Sequence, residues 1–253
     1  MKKFISALLA LCMVVMLVPA FAEDDITGTW YLTRANAAGV SMVVVSDEIE
    51  MIIVIREDGT ASLHSAFPGQ EAQDAECAWT FDGGIISFID PETETTTFAG
   101  YADGEILITA EGAELFLTRE QYTPYVMAAA VKADSVEAFY GTWVPDISFQ
   151  SGMMASLGDT MPPEERAKTV VSAEGIVETA TDGTVTVYEN PVLDPETGVL
   201  SASFVVELSG QTYETTMEMT LLEDGTMLVT ASVFGYEVVR AIYIRFPAAE
   251  DAA

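Results

Sequence analysis

The residues best suited to nucleophilic chemistry are one histidine and one cysteine. His64 is the only histidine, and Cys77 is the only cysteine outside an apolar N-terminal run. A Cys–His pair can act as nucleophile and base, and residues on neighbouring strands can face each other across a hairpin. We expect instead that Cys77 is a small core residue just before Trp79 and that His64 lies on a strand or loop. A single histidine also excludes a histidine-based metal cluster or proton relay.

The acidic residues suggest two further chemistries, paired carboxylates for glycoside hydrolysis and calcium binding. The chain has 40 Asp and Glu. EF-hand spacing is absent, and five of the 15 Asp precede Gly in turn sequences such as Asp58-Gly59. Asp-Pro-Glu-Thr occurs at Asp90 and at Asp194 and also has the composition of a turn. We therefore expect a solvated acidic surface and no metal site, with calcium binding by acidic loops left open.

The methionines are the best candidates for lining an apolar site, because Met is flexible and adapts to irregular ligands. They are more frequent in the second half of the chain. The alternative is that they are ordinary core residues under a lid. The candidate ligand-binding residues are Met153, Met154, Met161, Met217 and Met219.

No motif of a known catalytic class accompanies these residues. The sequence contains no Gly-x-Ser-x-Gly elbow, P-loop or dinucleotide-binding fingerprint. We therefore predict that the protein is not an enzyme, and we assign no catalytic residue and no cofactor.

The composition excludes several classes of partner. The formal net charge is −30, with 10 Lys and Arg, and 50% of the residues are hydrophobic. Nucleic acid is excluded because its binding depends on Lys and Arg at phosphates, and anionic membrane surfaces are disfavoured for the same reason. No second apolar stretch approaches the ~18 residues of a membrane span. The apolar content and strand-like alternation indicate a folded protein.

The first 22 residues have the pattern of a secretory signal peptide. Lys2 and Lys3 precede an apolar run from Phe4 to Val18, and Ala20-Phe21-Ala22 fits a cleavage site. A lipoprotein signal would need a small residue directly before Cys12, where Leu stands. We expect cleavage after Ala22 and a secreted, extracellular protein, with residues 248–253 forming a short acidic tail.

Two units follow one another, and both consist of short strands. Apolar runs alternate with turn sequences about every 10 residues, and Asp-Gly between apolar runs is a strong hairpin signal. This pattern predicts antiparallel meanders, closed into barrels or folded into sandwiches. The predicted units are residues 23–120 and 139–247. Helical spacing of apolar residues predicts a linker helix over 121–138, and Pro162-Pro163-Glu164-Glu165 predicts a short helix inserted in the second unit.

Each unit opens with the same three residues, Gly-Thr-Trp. They are Gly28, Thr29 and Trp30 in the first unit, and Gly141, Thr142 and Trp143 in the second. The first unit ends at Leu115-Phe116-Leu117-Thr118-Arg119, which includes one of the few arginines of the chain.

These features resemble the lipocalin (calycin) superfamily, in particular short, secreted bacterial members. In that superfamily a Gly-x-Trp begins the first strand, and an Arg or Lys of the last strand packs across the indole at the closed end of an eight-stranded barrel. The resemblance assigns Trp30 and Arg119 to barrel closure in the first unit. In the second unit it assigns Trp143 and Arg240, with Arg245 as the alternative because it lies closer to the strand end. All four assigned residues, with Gly28 and Gly141, are then structural.

The resemblance implies an all-β protein of two small up-and-down barrels in tandem, joined by a short helix. A pair of β-sandwiches is the rival fold, but it gives no reason for a Trp at the start of each unit. The implied function is non-catalytic binding of a small apolar molecule in a barrel cavity. The alternative is an extracellular or cell-envelope protein that binds other proteins and has filled barrel cores, and an enzyme of unknown type comes third. The oligomeric state is left open.

Overall fold

The computed structural model describes residues 25–110, 112–208, 210–233 and 236–246. The predicted signal peptide with its cleavage site and the acidic tail lie outside these residues. Strands make up most of the described chain, and the helices are two short 3-10 turns. None of the helices in the described part of the chain is long and apolar enough to cross a membrane.

The first half of the chain forms a closed antiparallel barrel of eight strands. The strands of this half are β1 Gly28–Ala37, β2 Val40–Val44, β3 Glu50–Ile55, β4 Thr60–Ala66, β5 Gln73–Asp82, β6 Ile85–Ile89, β7 Thr96–Ala102, β8 Glu105–Ala110 and β9 Ala113–Thr118. β1 pairs with β3, each strand from β3 to β9 pairs with the next, and β9 returns to β1. We call these eight strands the first closed sheet; β2 lies outside it.

The strands of the second half pair in the same order. They are β10 Gly141–Gln150, β11 Met153–Ser156, β12 Lys168–Ser172, β13 Gly175–Thr179, β14 Val185–Leu193, β15 Leu200–Leu208, β16 Gln211–Leu221, β17 Met227–Val233 and β18 Tyr236–Phe246. β10 pairs with β12, successive strands pair up to β18, and β18 returns to β10. We call these eight strands the second closed sheet; β11 lies outside it.

The two extra strands join the halves. β2 forms a hairpin with β1, β11 forms one with β10, and β2 and β11 pair with each other through Val43, Val44, Met153 and Met154. A small apolar cluster that includes Leu32, Val44 and Met153 lies at this junction. The halves are therefore connected by backbone hydrogen bonds and by packing as well as by the chain.

Alternation along the strands directs one apolar face into each closed sheet. In the first, Trp30, Ile53 and Leu117 are at most 1% exposed and belong to one core cluster. In the second, Trp143, Leu200 and Met219 are fully buried in another. Asp-Gly turns close several of the hairpins, as predicted: at the β3–β4 turn, Asp58 accepts hydrogen bonds from the backbone and hydroxyl of Thr60, at 3.0 and 2.7 Å.

The predicted linker helix over 121–138 is not present. Residues 121–135 are not helical, and only Val136–Phe139 forms a short 3-10 helix. The backbone of Ala129 and Val131 instead bonds to Glu223 and Leu221, beside the β16–β17 turn. These tertiary hydrogen bonds outweigh the helix propensity of the alanines, and Val126, on the predicted apolar face, is 87% exposed.

The segment predicted as a helical insertion is mostly strand. The helix is one 3-10 turn, Pro163–Glu165, and β11, β12 and β13 occupy the rest. Arg166 follows the turn and is 6% exposed. Its guanidinium donates to an Asp146 carboxylate oxygen at 2.7 Å and to backbone oxygens of Pro145 and Met161. The buried Arg166 therefore ties this loop to β10, and no helix covers a barrel mouth here.

Substitution of Gly198 tests the docking of the linker. A Cβ at Gly198 would lie 2.3 Å from the Ala133 nitrogen, whereas one at Gly183 would meet nothing within 4 Å; both glycines have positive φ. We expect Gly198→Ala to lower the free energy of unfolding by about 2 kcal/mol more than Gly183→Ala. Urea denaturation measures the difference, and equal losses would contradict the docked linker.

Candidate functional site

Trp30 is held in place by a hydrogen bond and a cation. Its indole N–H donates to the Ile26 carbonyl at 2.9 Å, and the Arg119 guanidinium carbon lies 4.2 Å from the centroid of its ring. Arg119 also donates to the backbone oxygens of Thr27 and Asp25. The structure thus brings together the tryptophan and arginine that the sequence assigns to closure of the first barrel.

In the second closed sheet the cation is Arg245. Its guanidinium carbon lies 4.6 Å from the ring centroid of Trp143, and it donates to the backbone oxygens of Tyr140 and Ala138 at 3.0 and 2.9 Å. Arg240, to which the sequence analysis assigned this role, forms an exposed ion pair with Glu237 at 2.9 Å. The assignment of Arg240 is wrong: Arg245, not Arg240, is opposite Trp143 in the β10–β18 register.

The two sites have the same geometry, which we call the Trp–Arg clamp. In each, the indole donates to the carbonyl four residues earlier, at Phe139 in the second. In each, the arginine donates to the carbonyls three and five residues before the tryptophan. The glycine two residues before it has positive φ, +118° at Gly28 and +140° at Gly141. A Cβ at Gly28 would lie 2.2 Å from the Arg119 guanidinium, so glycine is required there.

Cys77 and His64 do not form a catalytic pair. Cys77 is opposite Ala61, and His64 is three residues further along β4. Ala61 is fully buried, so alternation directs its neighbour Cys77 inward and His64 outward. The Cys77 thiol contacts the Ala61 carbonyl at 3.6 Å, and burial raises its pKa. This environment does not favour the thiolate that a nucleophile requires.

His64 is part of an acidic cluster on the outer face. Its Nδ1 lies 2.8 Å from an Asp74 carboxylate oxygen, and its Nε2 lies 3.5 Å from Glu50. The hydrogen bond with Asp74, with the charges of both carboxylates, raises the pKa of His64. His64 therefore neutralises part of the acidic surface and is not close to a nucleophile.

Several acidic side chains bind backbone groups of their own turns. Asp90 accepts from the backbone N–H of Glu92 at 2.7 Å, and Asp194 accepts from that of Glu196 at 2.9 Å. These hydrogen bonds, with those from the following threonine hydroxyls, lower the pKa of both aspartates. Among the described residues, no group of three His, Cys, Asp or Glu side chains is arranged to hold a metal ion.

The five candidate methionines do not form one site. Met217 and Met219 are 3% and 0% exposed in the second core, where they act as packing residues. Met153 belongs to the junction cluster, Met154 lines an open groove beside β2, and Met161 is 36% exposed. The structure therefore does not bring the five methionines together, because strand alternation directs their side chains to different places.

Cavities lie at the junction of the two halves and at the margin of the first core. One of about 220 Å³ lies at the junction and contacts Tyr125, Phe149 and Arg240. Another, of about 510 Å³, opens between β5 and the β6–β7 turn and contacts Cys77 and Phe88. Neither is recognisable in the sequence, because each combines residues that are distant along the chain.

No family model and no curated protein matches this chain. Among solved structures, a lipocalin-like protein from Bacteroides uniformis ATCC 8492 is 18% identical and has a TM-score of 0.29. The match covers 38% of this chain and 99% of that one. The evidence for the fold therefore comes from the strand pairing of this chain itself.

Two arginine substitutions test the second Trp–Arg clamp. Arg245→Ala removes two hydrogen bonds to backbone carbonyls and the contact with Trp143, so we expect the free energy of unfolding to fall by about 2 kcal/mol. Arg240→Ala is the matched control on the same strand. It removes an exposed ion pair and should change the free energy of unfolding by less than about 0.5 kcal/mol. Chemical denaturation measures both. A larger loss for Arg240→Ala would contradict the corrected assignment.

Alkylation tests the role of Cys77. Because its pKa is raised, the thiolate fraction at pH 8 is smaller than that of an exposed cysteine, and iodoacetamide should react more slowly than in urea-unfolded protein. His64→Ala should leave the native rate within about twofold, because the two side chains lie on opposite faces. The rate is measured by mass spectrometry, and a tenfold decrease in the variant would show that His64 activates the thiol.

Proposed function

We propose that this chain is a secreted, non-catalytic binding protein composed of two lipocalin-like barrels in tandem, which binds other macromolecules through its outer surface. The observation that carries the proposal is that large apolar side chains occupy the interior of both closed sheets. Ile86, Ile106 and Leu117 are fully buried in the first, and Leu200 and Met227 in the second.

A filled interior favours surface binding over an enclosed small ligand. Eight-stranded barrels are narrow enough for side chains to fill them, or for one small ligand to enter. Here Leu200, Met217 and Met219 belong to one buried core cluster of the second closed sheet and are at most 3% exposed. The cavities described above are open to the surface.

Three further features support the proposal. The repeated Trp–Arg clamp and the repeated pairing order support two barrels of one type. The apolar run and Ala-x-Ala sequence at residues 1–22 support secretion. The inward, protonated Cys77 and the outward His64 support a non-catalytic role.

Native mass spectrometry of the protein secreted by its own host tests this function. We expect the mass of a chain cleaved after Ala22 with no small molecule bound. A co-purifying apolar molecule at one equivalent, displaced when Met219→Trp fills the interior further, would contradict it. Met161→Trp, at an exposed methionine, is the matched control and should leave the mass spectrum unchanged apart from the substitution.

A further inference from the structure

The first half of β5 is an open sheet edge. Residues Gln73–Ala78 pair with β4, but the pairing with β6 involves only Ala78–Asp82. Within the described residues, no strand pairs with Gln73–Cys77 on the side away from β4. Unpaired backbone groups at such an edge can pair with a strand from another chain.

The alternation of an antiparallel ladder identifies the free backbone groups. The N–H of Trp79 donates to the Gly59 carbonyl at 3.0 Å, so the backbone of Trp79 faces β4. The backbone N–H and C=O groups of the odd-numbered residues of β5 likewise face β4, and those of the even-numbered residues face the open side. Asp74 and Glu76 therefore direct one N–H and one C=O each towards the open side.

The cavity of about 510 Å³ lies directly against this edge. Leu63, Cys77 and Phe88 contribute apolar groups from the core or its margin. The gap exists because β6 ends at Ile89, where Asp90 begins a turn. An extended segment of about five residues, some 17 Å long, matches the unpaired part of β5.

Acidic side chains surround the cavity beside β5. Asp74, Glu76, Asp90 and Glu92 all line it. The side chains of Asp74 and Glu76 are 82% and 68% exposed, although His64 and Arg56 each neutralise one of them in part. With a net charge of −30 on the whole chain, this cavity attracts a cationic segment.

The charges also argue against a second copy of this chain as the occupant. Edge-to-edge pairing of two β5 strands would place Asp74 and Glu76 of one copy beside the same carboxylates of the other. Like charges on directly opposed strands are destabilising. The occupant that fits is a different chain with Lys or Arg at alternate positions.

We infer that Gln73–Cys77 binds an extended, basic segment of another protein by β-strand addition. Apolar side chains of the segment face Leu63 and Phe88, and its Lys or Arg side chains face the carboxylates. This inference rests on the proposed function, since it names the class of partner for surface binding.

A synthetic peptide of ten residues with alternating Lys and Val tests the inference on the ¹⁵N-labelled protein that begins at Glu23. We expect hydrogen exchange at the amides of Asp74 and Glu76 to slow at least tenfold. The Kd should rise about tenfold between about 20 and 200 mM salt. A peptide with alternating Glu and Val should not bind.

Two controls separate strand addition from simple charge attraction. Methylation of alternate backbone nitrogens keeps the charge of the peptide but removes its donors, and should weaken binding at least tenfold. Glu76→Pro removes an N–H that faces the open side without removing a bond to β4, and should bind at least tenfold more weakly than Glu76→Gln. Thermal unfolding checks that both variants fold. Equal binding by the methylated peptide would overturn the inference.

The second closed sheet supplies an internal comparison. Residues Val185–Tyr188 of β14 pair with β13, and pairing of β14 with β15 begins at Glu189, so a similar gap occurs there. The four strand residues at this gap are uncharged, and Val185 and Val187 are exposed. We expect no slowing of exchange at residues 185–188, and equal slowing at both places would overturn the inference. If no peptide slows exchange at Asp74 while native mass spectrometry shows empty barrels, the inference fails and the proposed function stands.

Discussion

Burial of an indole beneath a guanidinium is the constraint on which each half of this molecule depends. The indole N–H of Trp30 or Trp143 must find an acceptor once it is buried, and it donates to the carbonyl four residues earlier. The chain before the tryptophan must therefore curl, and the exposed carbonyls of that curl accept from the arginine of the last strand. One guanidinium thus ties the first strand to the last and closes the sheet. The positive φ at Gly28 and at Gly141 favours glycine in both halves, which explains the Gly-x-Trp spacing.

Closure of the two sheets confines the proposed binding to the outer surface. Strands of five to eleven residues enclose little volume, and apolar side chains such as Ile53 and Met219 occupy it. The outer surface carries the charge, and many of its acids bind backbone groups of their own turns. For the proposed surface binding, irregularities in the sheet are the candidate surfaces. β5 provides one, because its first half pairs on one side only. The junction between β2 and β11 provides another, although its cavity is smaller.

The sequence predicted the elements that depend on local chemistry and missed those that depend on register or tertiary bonds. Asp-Gly turns and alternating apolar runs located most strands, since Gly and Asp tolerate the turn conformation at each site. The resemblance assigned Arg240 to the second clamp, but β17 and β18 form a longer hairpin than β8 and β9, so Arg245 reaches the tryptophan. The predicted linker helix is absent because the backbone of this segment forms hydrogen bonds with Leu221 and Glu223. Neither the Arg166–Asp146 pair nor the open edge of β5 leaves a local signal in the sequence.

Crystallography of the protein under xenon pressure tests the central claim most directly, because xenon enters apolar cavities that are too dry to hold water. The claim is that two Trp–Arg clamps close sheets whose interiors are filled with side chains. The account predicts no xenon site among the core residues Leu200, Met217 and Met219 or around Ile53 and Ile106. An ordered xenon atom in either interior would show an enclosed cavity and would contradict the assignment of binding to the outer surface.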